Sequence, residues 1–138
     1  MTANNTARLG WVIVYVADPA EAAAFYERAF GLSRRFVADG NSYAELDTGS
    51  TTLAFAAYEL GDGNLPDGFQ RPDPDRPPFN IELALVFDDV EAAYSRALEE
   101  GADGLAEPAR KPQGQTVGYA RDPFGNLIEI ASPLDEPG

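Results

Sequence analysis

Two glutamates stand where a carboxylate is costly. Glu82 interrupts the apolar run Ile81–Phe87, and Glu129 lies between Ile128 and Ile130. A buried, unpaired carboxylate must find a partner, take up a proton or face a cavity. In a cleft, with one pKa raised, such a pair moves protons and could serve an isomerase, epimerase or lyase. For Glu82 the plainer alternative is an ion pair with Arg121 or Lys111, or a strand position near solvent. Aromatic side chains recur in the same segments: Trp11, Tyr15, Tyr43, Phe55 and Tyr119. They could wall a flat ligand or simply fill a sheet. Gln115, next to Gly114, offers an amide to a ligand or to its own loop.

The absent residue types narrow the chemistry further. The 138 residues include no histidine and no cysteine. That excludes an imidazole base, a Ser-His-Asp triad, a thiol nucleophile, a disulfide and any thiolate or imidazole metal site. The formal charge of −13, from 23 acidic and 10 basic side chains, repels phosphate backbones, so no nucleic-acid partner is expected. The same charge attracts cations or serves solubility alone. No apolar run approaches the ~20 residues of a membrane span. Residues 1–10 lack an apolar signal core, so a cytoplasmic location is expected.

The elements that would position these groups read as two copies of one pattern. The β-rich run Trp11–Val16 leads into Asp18-Pro19, an N-cap followed by proline at the first helical position. Ala22, Phe25, Tyr26, Ala29 and Phe30 then form one apolar helical face that Gly31 terminates. In the second copy, Ile81–Phe87 leads to Asp88 or Asp89 as cap. Val90, Ala93, Tyr94, Ala97 and Leu98 repeat the helical spacing, and Gly101 stops it. Further on, Tyr43–Gly49 matches Tyr119–Gly125 without a gap, and each glycine leads into a strand, Thr51–Phe55 or Leu127–Ile130. Asp122 and Asn126 read as turn formers.

The chain is thus a duplicated βαβββ unit. The first module spans residues 8–58 and the second 80–133. Between them, 59–79 holds five prolines, three glycines and four aspartates, with Phe69 a large apolar side chain within it. Such proline density predicts no regular structure, and the stretch serves as a linker or a partial cover of a cleft. The tail 135–138 is expected to fray.

The order βαβββ–βαβββ, the step Val16-Ala17-Asp18 and the segment Arg121-Asp122-Pro123-Phe124-Gly125-Asn126-Leu127-Ile128-Glu129 resemble the vicinal oxygen chelate superfamily over residues 8–133. That superfamily includes glyoxalase I, extradiol dioxygenases and the fosfomycin- and bleomycin-resistance proteins. The resemblance implies an α+β fold of tandem βαβββ repeats, a curved mixed sheet forming a cleft with helices outside. Its metal enzymes take one ligand from the first and one from the last strand of each module. Counted from the capping aspartates and through the gapless hairpin match, these positions fall on Trp11, Leu53, Glu82 and Glu129. Trp11 and Leu53 cannot ligate a metal, and two carboxylates alone make a poor site, so no metal or other cofactor is expected.

The resemblance then implies a metal-free, antibiotic-sequestering homodimer that binds an aromatic or cationic ligand. Its binding residues would be Trp11, Tyr15, Tyr43, Leu53, Phe55, Glu82, Gln115, Tyr119 and Glu129, with none catalytic. Two alternatives stay open. One is a lyase or isomerase using Glu82 or Glu129 in acid–base catalysis; the other is a degenerate metal enzyme.

Overall fold

In a computed structural model, which describes residues 5–134, each half of the sequence builds a four-stranded mixed sheet. In the first, β1 (Trp11–Val16) is followed by α1 (Pro19–Phe30), β2 (Ser33–Val37), β3 (Tyr43–Asp47) and β4 (Thr52–Ala57). A short helix α2 (Tyr58–Asn64) follows. The second half contains β5 (Glu82–Val86), α3 (Val90–Glu99), β6 (Asp103–Arg110), β7 (Thr116–Arg121) and β8 (Leu127–Ala131). Strand order is β1-β4-β3-β2 in one sheet and β5-β8-β7-β6 in the other, so the duplication read from the sequence is a duplication of topology. In each, the first strand pairs parallel to the last, and the remaining pairs are antiparallel.

The helices start and stop where the sequence signals lie. Asp18 Oδ1 accepts from the Glu21 amide and Asp89 Oδ1 from the Ala92 amide, which satisfies donors that a helix start leaves orphaned. Gly31 (φ 73°) and Gly101 (φ 121°) take the positive φ that ends each helix at little steric cost.

The chain divides into two compact units. Among the described residues, one runs through Glu27 and resumes at Leu32–Phe69; the other takes Arg28–Gly31 and the residues from Gln70 to 134. In the first unit, Phe25 and Tyr26 of α1 are fully buried, with Tyr26 5.1 Å from the Phe55 ring of β4. Val16, Leu46 and Phe55 complete this core from the sheet. Burial of each such side chain contributes about 1.5–3 kcal/mol. In the second unit the core includes Val90, Ala93, Tyr94 and Ala97 of α3, together with Ile128 and Ile130.

The stretch between the halves is not wholly irregular. Its prolines begin at Pro66, so nothing prevents 58–64 from closing a helical turn, and α2 forms there. Beyond it, residues 65–81 form no helix or strand. Arg121 holds part of this stretch. Its Nε donates to the Gly125 carbonyl at 3.1 Å, Nη1 to Arg76 O at 2.5 Å and Nη2 to Asp73 O at 3.0 Å. The guanidinium thus anchors the crossover to the β7–β8 hairpin.

Candidate functional site

Strand register decides which side chains share a face. In the first sheet Trp11 lies beside Thr52, Ile13 beside Ala54 and Tyr15 beside Ala56. On β3, Tyr43 pairs with Ala56 and Glu45 with Ala54. Trp11, Ile13, Tyr15, Tyr43 and Glu45 therefore occupy one face, and Val12, Val14, Leu53, Phe55, Ala44 and Leu46 the other, which carries the α1 core.

This corrects the expectation for Leu53 and Phe55. Both point away from Trp11; Leu53 is 6% exposed and Phe55 is fully buried beneath α1. The gapless match of the two hairpins causes the error. Four residues separate β3 from β4, but five separate β7 from β8. Pairing of Glu82 with Leu127 and of Trp11 with Thr52 makes Ala54, not Leu53, the counterpart of Glu129. A slip of one residue exchanges the faces of a strand. The same correction separates Tyr43 from Tyr119: the counterpart of Tyr119, which pairs with Glu129, is Glu45, which pairs with Ala54.

Glu45 organises the open face of the first sheet. It is 8% exposed, and its Oε2 accepts from Trp11 Nε1 at 3.0 Å and from the Tyr43 hydroxyl at 2.7 Å. Arg35 approaches Oε1 at 3.4 Å and donates to Thr52 Oγ1 at 3.2 Å. Three donors converging on one carboxylate compensate its burial. Burial and the neighbouring Glu45 push the Tyr43 hydroxyl up to about 12. Trp11 remains 56% exposed and Ile13 45%, while Phe36 packs 5.9 Å from Tyr43. The face presents an aromatic and aliphatic platform whose indole and phenol are held in place by an acid beneath them. Glu45 carries the same signal as Glu82, an acid between the apolar neighbours Ala44 and Leu46, yet it escaped the sequence reading.

At its Tyr15 end the face is covered. Phe69 stacks on Tyr15 with centroids 4.7 Å apart and planes at 28°, and Tyr58 lies 5.7 Å from Phe69.

In the second sheet, Glu82, Glu129 and Tyr119 share a face. Ala84 pairs with Glu129, Glu129 with Tyr119, and Glu82 with Leu127. The Tyr119 hydroxyl donates to Glu129 Oε1 at 3.2 Å. Glu82 is exposed, the near-solvent strand position and not a buried one, though partial desolvation, then repulsion from Glu129, raises its carboxyl. Desolvation and the two carboxylates raise Tyr119. Arg121 directs its bonds to backbone carbonyls of the crossover and its own hairpin. Gln115 is also used locally: its Nε2 donates to the Ser132 carbonyl at 2.9 Å.

Each sheet carries two of the positions that hold ligands in the superfamily's metal enzymes. In the first sheet they are Trp11 and, with the register corrected, Ala54, neither of which carries a ligating atom. In the second they are Glu82 and Glu129. Among the described residues no three acidic side chains come together as a cation site. Two carboxylates are too few donors for the transition metals these enzymes use, so the residues present do not fit such a centre.

Comparison with known proteins agrees with this architecture. The family model described as Glyoxalase/Bleomycin resistance protein/Dioxygenase superfamily matches residues 8–130. A "Putative glyoxylase CFP32" of Mycobacterium bovis is 28% identical over 96% of this chain, which spans only 47% of that protein, about half its length. A "Metallothiol transferase FosB" of Shouchella clausii is 30% identical over 83% of this chain and 73% of its own. Among solved structures, a glyoxalase/bleomycin resistance protein/dioxygenase family enzyme from Burkholderia phytofirmans PsJN superposes with a TM-score of 0.78 at 22% identity, covering 93% of this chain and all of that one. At that identity the likeness is one of fold. Among the described residues, no helix is long and apolar enough to cross a membrane.

Proposed function

The chain belongs to the glyoxalase/bleomycin resistance protein/dioxygenase superfamily, and from that premise we propose that it is a metal-independent protein that binds and sequesters a flat, aromatic or cationic, antibiotic-like small molecule. One observation carries the reading. Trp11 occupies a strand position that ligates metal in the family's enzymes, half-exposed and oriented by Glu45. An indole fixed in that way stacks on a planar ring without first losing rotamer freedom. The −13 charge favours a cationic ligand. In this reading the working form is a cytoplasmic homodimer with no nucleic-acid or membrane partner.

Titration with a panel of planar and glycosylated antibiotics, followed by Trp11 fluorescence, tests the proposal. Micromolar binding that shifts or quenches the emission supports it; no binding across a broad panel overturns it.

A second reading is favoured by the raised Glu82 carboxyl beside Glu129. Two carboxyls on one sheet face can act as base and acid in a lyase or isomerase step. Turnover that survives Glu82→Gln removes that reading. The relative named as a metallothiol transferase raises the further case of a degenerate metal enzyme. A metal-to-subunit ratio near zero after purification without chelator counts against it.

A further inference from the structure

The Tyr15 end of the first sheet's open face is built to hold an aromatic ring, and a ring of this chain sits there. Phe69 comes from the crossover, not from the sheet. It stacks on Tyr15 at 4.7 Å and 28°, and Tyr58 flanks it at 5.7 Å. Beneath it lies Gly61 of α2, which is buried and has no positive φ to account for a glycine there. Its missing side chain has a steric use: a Cβ at 61 would collide with the Phe69 ring and press on Tyr15. Tyr15, Tyr58 and Gly61 therefore form a slot shaped for a planar ring. Tyr15 shares its face with Trp11, two strand positions beyond Ile13. The segment bearing Phe69 is short. It runs from the end of α2 at Asn64 to Pro72, which packs against Gly125 beside the Arg121 anchor.

We propose that this slot is a second aromatic subsite and that Phe69 is its resident plug, displaced when a planar aromatic ligand enters. The inference rests on the binding role proposed above and deepens it, since a ligand with two ring systems would engage Trp11 with one and Tyr15 with the other. Removing Phe69 relieves the ligand of competition from a stacked pair. Such pairs change equilibria by roughly 2- to 10-fold.

The test compares wild type, Phe69→Ala, Gly61→Ala and Trp11→Ala by isothermal titration calorimetry with proflavine, a planar tricyclic cation. Far-UV circular dichroism verifies that each is folded. Gly61→Ala displaces the plug without deleting a ring, but it also narrows the slot, so it should bind more weakly than Phe69→Ala. The expected result is affinity about 2- to 10-fold above wild type for Phe69→Ala. Binding detectable only in Phe69→Ala also supports the plug. Wild-type binding with Phe69→Ala unchanged or weaker overturns the plug and leaves the binding role standing, with Trp11→Ala reporting on that role separately. No binding by any of the four proteins overturns both.

Discussion

Trp11 and Glu45, 34 positions apart in sequence, are joined by an indole N–H that donates to a carboxylate oxygen at 3.0 Å. The same oxygen receives the Tyr43 hydroxyl. One buried acid thereby sets the orientation of two aromatic side chains on an open sheet face.

Glu45→Gln weakens both bonds and removes the charge that holds the Tyr43 proton. Nuclear magnetic resonance of ring-labelled tyrosine should show the Tyr43 titration moving down from about 12 towards the ordinary 10. Because the folded value lies above the unfolded one, the native state binds this proton more tightly. The stability it contributes is complete below pH 10 and is lost as pH rises through about 12. An unchanged Tyr43 titration in the variant would show that Glu45 does not govern it.

Glu82→Gln should raise the melting temperature at neutral pH. The folded carboxyl lies above its usual 4.5, so the group favours folding below that value and loses this contribution as pH rises through its folded value. The advantage of the glutamine should shrink on acidification. Thermal melts across that range check it, and an advantage that grows in acid would refute the assigned sign.

Phe55→Ala and Trp11→Ala separate core from site. Phe55 is fully buried against Tyr26, and its loss should cost about 3–5 kcal/mol in urea unfolding. Trp11 is 56% exposed, and its removal should cost much less stability while weakening ligand binding. Equal stability losses would contradict the face assignment.

Arg121→Met removes three bonds to carbonyls, two of which belong to the crossover. A loss of about 1.5–3 kcal/mol is expected, with faster chymotryptic cleavage of the crossover after Phe69 and Phe79. Cleavage at the wild-type rate would show that Arg121 does not anchor the crossover.

The fold was readable because its signals are local and repeated. Asp18 and Asp89 mark helix starts, Gly31 and Gly101 mark stops, and the apolar spacing between them has one period. The site was less readable because it depends on pairing across strands. The sequence shows Leu53 and Ala54 as adjacent residues, and only the hairpin length decides which one faces Trp11. Glu45 was visible as an acid among apolar neighbours. Its role depends on Trp11 and Arg35, which local pattern does not connect to it. Phe69 was visible as a large apolar side chain in the crossover, but its seat on Tyr15 required the absence of a side chain at Gly61.

The central claim is that Trp11, held by Glu45, binds a planar aromatic ligand without a metal. Calorimetric titration of chelator-treated protein with proflavine, repeated on Trp11→Ala and repeated with added divalent zinc, manganese and magnesium, tests it most directly. Binding by the chelated wild type, unchanged by metal and weakened at least about tenfold by Trp11→Ala, is the predicted result. Binding that appears only when a divalent metal is added, or that is indifferent to Trp11, would contradict it.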